Sequence, residues 1–423
     1  MFARGNVNMK SVIELMKIVY RRLRLPVNFL GAHMRQPHYR KVVKRLQKAD
    51  KPYRFGAYVM FDSTFGADRL VQKMLDNPEK WSVSIVVIPD ISRGEKHMVE
   101  AYKETKAFFV NKYGESYVKD GYDFQAHRAI DHSDDFDFIY CANPYDRMVA
   151  KCHKIRYLSK RNCLPFHISY GYDVSQIYTL RRLQSKELNY VWKYFTDTRY
   201  LHENLCAHHL IKGKNFELMG YAKMDSFIFD KTSNERKRIL ISIHHSVDFP
   251  ELPLSNFMEI YDLIPELPTI FPEYDFVFRP HPLLFSRLVL LGLWNEDNVK
   301  DYIKKITDNG IEYSVGGDYF DVFNKCDAIV NDCGSFTVEW LYSGKPGCFI
   351  RNSSLKDELL TPLMLKALEE YEIVTSKDEI LSFIRDLDFS KDYEVADWVK
   401  KDVMLEYPNV SDKIYEFLTS CGT

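Results

Sequence analysis

Two short segments place cations and imidazoles directly after apolar runs. The segment FVFRPHP ends in Arg279 and His281, and the prolines around His281 prevent the preceding strand from continuing. The segment ILISIHH ends in His244 and His245; one is expected to be a phosphate donor and the other structural, and the sequence does not choose between them. Arginine supplies a permanent forked cation for phosphate, and histidine a donor that can gain charge near neutral pH. Together these residues predict a pyrophosphate site.

A third segment has small residues where a helix is expected to begin. The apolar run DAIVND ends at Asp332, and Gly334 and Ser335 form a turn after it. Ser335 or Thr337 can cap the helix, which continues through Glu339. The free N–H groups at a helix N-terminus bind anions, and phosphate best. A capping box that serves stability alone fits the same residues equally well.

The runs that must position these residues alternate between strand-like and helix-like character. This alternation is typical of doubly wound α/β domains, in which ligands bind beyond the carboxyl ends of parallel strands. We therefore predict two Rossmann-like domains that face a central cleft, joined by the polar segment DKTSNERKR. The predicted strands span 54–61, 82–90, 135–141, 165–171 and 189–195, and then 239–245, 275–282, 310–315, 327–332 and 347–350. The predicted units are a basic N-terminal segment (1–51), a first domain (52–229), a nucleotide-binding domain (230–395) and a C-terminal helix (396–423) that packs back on the first domain.

A further junction between a strand and a helix, DSTFGADR, carries small polar residues. It could face a donor pyrophosphate or an acceptor, and a plain helix cap would look the same. Its candidate site residues are Asp62, Ser63, Thr64 and Gly66.

Composition excludes several classes of protein. The chain is 46% hydrophobic and 14% aromatic, which is against disorder, and its net charge of −1 gives no sign of a nucleic-acid partner. Eight cysteines form no CxxC pair, so we expect reduced thiols in a cytoplasmic protein. A zinc site at His244 and His245 is not predicted, because no third ligand stands at suitable spacing. No signal peptide and no apolar run of the ~20 residues of a membrane span are evident.

The N-terminal segment is strongly basic. Residues 1–51 hold 13 lysines and arginines against two acids, a net charge of +11, which leaves −12 for the rest of the chain. Within MKSVIELMKIVYRRLRLPVNFL, apolar residues recur at helical spacing between the basic ones. This predicts a basic amphipathic helix. It fits a helix on the anionic inner face of the cell membrane, and equally an ordinary helix packed on its own domain.

Four of these segments occur in the order and spacing of a known family. GYAKMDSF, ILISIHHSVD, FRPHP and CDAIVNDCGSFTVEWLYSGKP resemble the pattern of the CDP-glycerol glycerophosphotransferase family, the teichoic-acid and capsule polymerases of GT-B fold. The resemblance covers residues 220–350, about a third of the chain. It implies a nucleotide-diphosphate donor, CDP-linked, held by the C-terminal domain, with no other cofactor and no metal.

The resemblance also implies roles for individual residues. Arg279 and His281 would neutralise the departing phosphates, and Ser335 with its turn would hold donor phosphate. Glu339 would bind the ribose or orient the helix, and Asp332 would shape the loop. The implied donor-binding set is His244, His245, Arg279, His281, Asp332, Gly334, Ser335, Phe336, Thr337 and Glu339.

The acceptor loop departs from the family pattern. A W-H-G motif, whose histidine the family uses as acceptor base, aligns with SYG, so that Tyr170 replaces the histidine and Gly171 is retained. The base must then come from His167 or Asp173, which flank this loop, or from Asp62. Tyrosine, with an ordinary pKa of about 10, is a poor base but a good hydroxyl donor.

These features predict a membrane-peripheral, cytoplasmic transferase. It would move an alditol phosphate or a sugar from a nucleotide-diphosphate donor to a hydroxyl of a surface glycan or glycolipid, such as capsule, teichoic acid or lipopolysaccharide. A GT-B glycosyltransferase with a sugar-nucleotide donor and a nucleotide-sugar epimerase remain alternatives within enzymes. An inactive nucleotide-binding partner of a capsule assembly complex is the alternative outside them, and the loss of the acceptor histidine favours it.

Overall fold

The computed structural model of the chain describes residues 9–177, 179, 187–227, 236–316, 319–391 and 393–422, with side chains from residue 28 onward. The predicted linker, 230–238, lies largely outside these residues. The strands are β1 Tyr53–Val59, β2 Trp81–Val87, β3 Val118–Asp120, β4 Tyr122–Asp123, β5 Arg128–Ala129, β6 Phe138–Cys141, β7 Leu164–Ile168, β8 Lys193–Thr196, β9 Phe216–Leu218, β10 Arg238–Ser242, β11 Asp275–Phe278, β12 Glu312–Tyr313, β13 Ala328–Asn331, β14 Gly347–Ile350 and β15 Glu372–Val374. The α-helices are Met9–Leu46, Asp68–Leu75, Glu95–Tyr113, Ile155–Leu158, Arg199–His208, Phe257–Ile260, Leu267–Ile270, Leu284–Leu290, Glu296–Asp308, Phe320–Lys325, Gly334–Trp340, Pro362–Leu368, Lys377–Arg385, Asp397–Asp402 and Val410–Thr419.

Two parallel sheets organise the chain. The first has the order β3-β2-β1-β6-β7-β8-β9, and the second the order β12-β11-β10-β13-β14-β15. All neighbouring strands in both sheets run parallel. The central strands are apolar on both faces because helices cover both faces of such sheets. The predicted pair of doubly wound α/β sheets is confirmed.

The strands differ in detail from the predicted runs. The run 189–195 begins as a turn and becomes strand only at Lys193. The edge strands β3 and β15 were not predicted, because each is three residues long and carries charged residues. The antiparallel hairpin of β4 and β5 was likewise not predicted. Short edge strands have too few residues for a period to show.

The terminal helices both pack on the first sheet. In the helix Met9–Leu46, His38 Nε2 lies 2.8 Å from the carbonyl oxygen of Arg161, and Tyr39, Val42 and Leu46 belong to the core beneath β1. The helix Val410–Thr419 joins the same core, and Lys73 Nζ donates to Asp412 at 2.6 Å. Among the described residues, no helix has the length and apolarity needed to cross a membrane. Membrane contact by the basic segment stays a prediction.

Candidate functional site

The predicted donor residues lie at the switch point of the second sheet. β10 is the strand from which the chain winds both ways, with β11 on one side and β13 on the other. His244 and His245 follow β10, His281 follows β11, and Ser335 follows β13. Because the carboxyl ends of parallel strands share one edge, the fold brings these three loops together. This crevice is where ligands bind in open α/β sheets.

Asp332 fixes the geometry of two of these loops. Its carboxylate is fully buried and accepts the backbone N–H groups of His244 and Asn256, each at 2.6 Å. Burial raises the pKa of Asp332 to about 7 against the effect of these hydrogen bonds. The implied role of Asp332, to shape the loop, agrees with these contacts. It is buried beneath the crevice and does not face a ligand.

Three imidazole rings form a cluster at the crevice. The ring centroids of His245 and His281 are 4.0 Å apart, those of His244 and His245 4.3 Å, and those of His244 and His281 5.3 Å. The sequence left open which of the adjacent histidines belongs to the site, and the structure places both in it. Each of the three residues is partly exposed.

Hydrogen bonds to the backbone fix the tautomers of two rings. The N–H of Leu283 donates to His281 Nδ1 at 3.1 Å. The N–H of Ser246 donates to His244 Nδ1 at 3.2 Å. The Ser246 hydroxyl lies 2.9 Å from the same nitrogen, and because its oxygen already accepts two backbone N–H groups, it donates its hydrogen to Nδ1. Nδ1 is therefore the acceptor in both rings. A neutral imidazole carries one hydrogen, so Nε2 of His244 and of His281 is an N–H donor.

The cluster is uncharged at neutral pH. Burial, followed by the charge of Arg287, lowers the pKa of His245 to about 4, and burial beside His245 lowers the pKa of His281 to about 3. Burial and the two neighbouring rings hold the pKa of His244 well below its usual range. The expectation that histidine gains charge here near neutral pH is therefore wrong for the ligand-free protein. The physical reason is that three rings share one poorly solvated space.

The same three histidines have the composition of a metal site. Each offers a ring nitrogen within 4.8 Å of the others, so the fold supplies the third ligand that sequence spacing did not show. A metal needs the lone pair of a neutral imidazole. In His244 and His281 that lone pair already accepts a backbone N–H, and the other nitrogen carries hydrogen. The hydrogen bonds therefore favour an anion over a cation at this cluster.

Arg279 lies beneath the crevice with its guanidinium bonded to a loop. It is 8% exposed and donates to Ser314 Oγ and to the carbonyl oxygen of Gly316, both at 2.7 Å. The ring of Tyr319 lies 5.9 Å from its guanidinium carbon. Arg279 thus holds the loop after β12.

The helix Gly334–Trp340 begins differently from the prediction. Its N-cap is Cys333, without a side-chain cap, so neither Ser335 nor Thr337 caps it. Thr337 is buried, and its hydroxyl lies within hydrogen-bond distance of the carbonyl oxygen of Cys333 and of Asn331 Oδ1, which removes it from contact with a ligand. Ser335 is partly exposed and remains a candidate contact. The glycine at 334 is needed because an added Cβ would lie 2.7 Å from Val174 Cγ2.

Glu339 and Phe336 face inward from this helix. The Tyr221 hydroxyl lies 3.1 Å from Glu339 Oε1, the Tyr319 hydroxyl donates to Glu339 Oε2 at 2.6 Å, and Glu339 is 2% exposed. Of its two implied roles, orienting the helix fits this position and binding a ribose does not. The Phe336 ring packs on Tyr319 at a centroid distance of 4.6 Å.

The first sheet presents its own loops across the cleft. The loop after β1 forms a short turn in which Asp62 and Thr64 are partly exposed, Ser63 is exposed and Gly66 is buried. Thr64 Oγ1 donates to Asn143 Oδ1 at 3.1 Å, which ties this loop to the one after β6. The N-cap of the following helix is Ala67, so the loop's polar side chains do not cap it.

The loop after β7 meets the second half of the chain directly. The Tyr170 hydroxyl lies 2.6 Å from that of Tyr145, at the mouth of the cleft. A Cβ added to Gly171 would lie 3.3 Å from Ser335 Oγ, so the acceptor loop and the donor helix touch. The sequence predicted the two sides of the cleft separately, and the structure brings Gly171 and Ser335 together.

Two of the candidate bases are buried. His167 is 1% exposed, with Nδ1 2.8 Å from the carbonyl oxygen of Cys141, and Asp173 is 4% exposed. Neither can reach the proton of an acceptor in this conformation, which corrects the expectation that either serves as base. His167 belongs to β7, whose residues are all buried, and Asp173 lies between the buried residues Tyr172 and Val174. Asp62 remains partly exposed.

Sequence reasoning missed the residues that join the two halves. Tyr221, Lys223 and Tyr319 lie between the loops, and Asn143 and Tyr145 complete the acceptor side. Tyr221 and Lys223 belong to GYAKMDSF, a segment that contributed to the resemblance but supplied no candidate site residue. No local signal marked the others, because their partners are remote in sequence.

Comparison with known proteins places the fold. No protein-family model matches the chain, and no curated protein matches its sequence. A solved structure of the wall teichoic acid polymerase TagF, soaked with CDPG, is similar with a TM-score of 0.53 and 11% identity over 96% of this chain and 97% of that one. The UDP-GlcNAc 2-epimerase from Methanocaldococcus jannaschii has a TM-score of 0.52 and 13% identity, over 86% of this chain and 99% of that one. The structure of S. aureus MnaA with UDP has a TM-score of 0.51 and 13% identity, over 86% of this chain and 96% of that one.

The chain has a GT-B-like fold. At these identities the likeness concerns the arrangement of the two sheets and their cleft, and confirms the predicted fold class.

Proposed function

We propose that the protein is a transferase of the GT-B type that acts on a nucleotide-diphosphate donor. The observation that carries the proposal is the histidine cluster at the switch point of the second sheet, which faces the polar loops of the first sheet across the cleft. The transferred group is an alditol phosphate or a sugar, and the acceptor a hydroxyl of a surface glycan. A CDP-linked donor is the first candidate, in keeping with the family that residues 220–350 resemble.

The cluster suits the diphosphate of such a donor. Nε2 of His244 and of His281 donates a hydrogen bond whose direction the backbone fixes. Donors that are already oriented stabilise the charge that develops on a leaving group without reorganising. Arg287 supplies positive potential at the cluster, and Ser335 follows β13 on the same edge of the sheet.

The acceptor side then needs a base and an orienting hydroxyl. Asp62 is the one predicted base that is not buried, and it follows β1, the switch-point strand of the first sheet. The paired hydroxyls of Tyr145 and Tyr170 can hold an acceptor by hydrogen bonds. This arrangement assigns Tyr170 to binding and Asp62 to proton removal.

A nucleotide-sugar epimerase is the second candidate. The solved UDP-GlcNAc 2-epimerase from Methanocaldococcus jannaschii has a similar fold, with a TM-score of 0.52. An epimerase converts its donor without an acceptor, whereas a transferase releases nucleotide at a useful rate only with one. The close contact of Gly171 with Ser335 brings an acceptor loop to the donor site and favours transfer.

One assay distinguishes the candidates. The purified protein is incubated with CDP-, UDP-, GDP- and CMP-activated donors, with and without glycan acceptors, and nucleotide release and donor conversion are followed. Transfer predicts acceptor-dependent release with one donor class. Conversion without acceptor would instead identify an epimerase, and neither reaction with any donor would refute both enzymes and leave the nucleotide-binding partner.

A matched pair of variants tests the histidine cluster. Glutamine reproduces the Nε2–H donor of histidine, so His281→Gln should bind CDP within a few-fold of the wild-type protein. His281→Ala loses one hydrogen bond to a charged group, worth about 1.5–3 kcal/mol, and should bind CDP about 10- to 100-fold more weakly. Calorimetric titration measures both. Equal CDP binding by wild-type protein and a folded His281→Ala variant would exclude His281 from the donor site.

A further inference from the structure

The segment 220–226 crosses between the two sides of the cleft and touches both. On the acceptor side, Tyr221 donates to the carbonyl oxygen of Tyr170 at 2.8 Å, and Lys223 Nζ donates to the carbonyl oxygen of Ser63 at 3.3 Å. On the donor side, the same Tyr221 hydroxyl lies 3.1 Å from Glu339 Oε1. Tyr221 is 1% exposed. Its hydroxyl is thus a buried link between the acceptor loop and the helix Gly334–Trp340.

The hydrogens in this link can be counted. A tyrosine hydroxyl has one hydrogen, and the Tyr170 carbonyl can only accept. If Glu339 were ionised, its Oε1 and the Tyr170 carbonyl would compete for the one hydrogen of Tyr221. Tyr319 donates to the other oxygen, Oε2, at 2.6 Å and does not relieve this competition. A hydrogen on Oε1 removes it, because Oε1 then donates to Tyr221 and Tyr221 donates to Tyr170.

We propose that Glu339 is protonated in the resting protein and that its hydrogen completes a chain from Glu339 through Tyr221 to the Tyr170 carbonyl. Tyr221 is then a positioning residue, which sets the acceptor loop against the donor helix where Gly171 meets Ser335. The chain itself is a property of the fold. Its meaning for an acceptor rests on the proposed function.

The surroundings of Glu339 agree with a neutral carboxyl. It forms no salt bridge within the described residues, and burial raises its pKa, while the charge of Lys223 and the two tyrosine hydroxyls oppose the rise. The other titratable groups that sense it are Cys333 and Tyr342, both buried. Removing an ionised carboxylate from water without a salt bridge is costly, and in practice such a group stays neutral.

Infrared spectroscopy tests the proton directly. Protein labelled with ¹³C at the glutamate side-chain carboxyl is compared with a labelled Glu339→Gln variant at pH 7. The label separates glutamate from Asp332, whose pKa of about 7 would otherwise give a similar band. The expected result is a protonated-carboxyl band that the variant lacks. Should Glu339→Gln not fold, the band is sought in the wild-type protein alone; its absence at pH 7 would overturn the proposal.

Stability gives a second readout. Glutamine can donate to Tyr221 and accept from Tyr319, so Glu339→Gln keeps the chain, whereas Glu339→Leu breaks it. A raised pKa means that ionisation of Glu339 opposes folding, and this effect is absent below the unfolded-state pKa and grows as pH rises. Glu339→Gln should therefore melt no lower than the wild-type protein at pH 8, with Glu339→Leu well below both. Equal losses in both variants would contradict the proposal.

Kinetics separates positioning from a purely structural role. Tyr221→Phe removes one hydrogen-bonding hydroxyl, and Tyr58→Phe is its control, because the buried Tyr58 hydroxyl has no partner among the described residues. Tyr221→Phe should raise the acceptor KM about tenfold and leave CDP binding unchanged. An equal rise in Tyr58→Phe, or weakened CDP binding, would refute the positioning role. If the protein shows no transferase activity, the infrared experiment still tests the protonation of Glu339 independently.

Discussion

Lowering the pH should destabilise the protein through its histidine cluster, and His281 provides the sharpest test. An unfolded histidine takes up a proton near pH 6.5, whereas in the folded protein burial beside His245 lowers the pKa of His281 to about 3. Between these values the unfolded chain binds a proton that the folded protein does not. The free energy of unfolding must therefore fall as the pH falls from 6.5 towards 3.

The magnitude follows from the two pKa values. At pH 7 an unfolded histidine is mostly neutral, and at pH 5 it is almost fully protonated, while folded His281 stays neutral at both. The linkage gives a loss of about 2 kcal/mol between pH 7 and pH 5 from this one residue. His244 and His245 act in the same direction, since their pKa values are also lowered.

The assay is urea unfolding of wild-type protein and His281→Gln at pH 7 and pH 5, at one ionic strength. Glutamine does not titrate, so the variant should lose about 2 kcal/mol less than the wild-type protein between the two pH values. Any loss of packing in the variant is the same at both pH values and cancels. His208→Gln, at an exposed position on the helix Arg199–His208, is the matched control. Identical pH dependence in wild-type protein and His281→Gln would show that the ring is solvated and that the cluster is not packed as described.

Three further substitutions test the scaffold of the site by urea unfolding. Asp332→Ala leaves buried N–H groups without an acceptor, among them that of Asn256, and should lower the free energy of unfolding by about 3 kcal/mol. A loss under about 1 kcal/mol would mean that the loops do not depend on the Asp332 carboxylate. Gly334→Ala brings a methyl group to 2.7 Å from Val174 Cγ2 and should lower the free energy of unfolding by about 1–3 kcal/mol. Adding Val174→Ala should restore part of this loss. No recovery in the double variant would show that the strain lies elsewhere. Arg279→Lys keeps the charge but not the fork that donates to two loop oxygens, and should cost about 1.5 kcal/mol, so unchanged stability would count against that fork.

The position of the crevice could be predicted from local patterns. Apolar runs that stop at His244, Arg279 and Asp332 mark strand ends, and parallel strands end on one edge. That Ser335 lies on the same edge follows from the chain leaving β13 there. These inferences needed only the ends of elements and no long-range contacts.

The protonation and tautomers of the site could not be predicted. The neutral state of His281 depends on rings 36 and 37 residues away, and its tautomer on a backbone N–H two residues on. The partners of Glu339 are equally remote, since Tyr221 lies 118 residues before it. The predicted helix cap was also wrong: Ser335 and Thr337 are residue types that suit a cap, but the helix starts at Gly334, two residues earlier than a cap by Ser335 requires and four earlier than a cap by Thr337 requires. Burial and long-range contacts, which a local pattern does not contain, determine the protonation states, the tautomers and the helix cap.

The proposed transferase has a tyrosine, Tyr170, where the family that this chain resembles has a histidine. A base must reach the acceptor proton, and burial removes His167 and Asp173. Asp62 is then the proposed base. Its loop is held from both sides: Thr64 forms a hydrogen bond with Asn143, and the carbonyl oxygen of Ser63 accepts a hydrogen bond from Lys223 of the crossing segment 220–226. A loop fixed at two points keeps a carboxylate in place, as a general base requires. The proposed transferase therefore does not need a histidine at position 170, because its proposed base, Asp62, and its proposed binding hydroxyl, Tyr170, follow different strands.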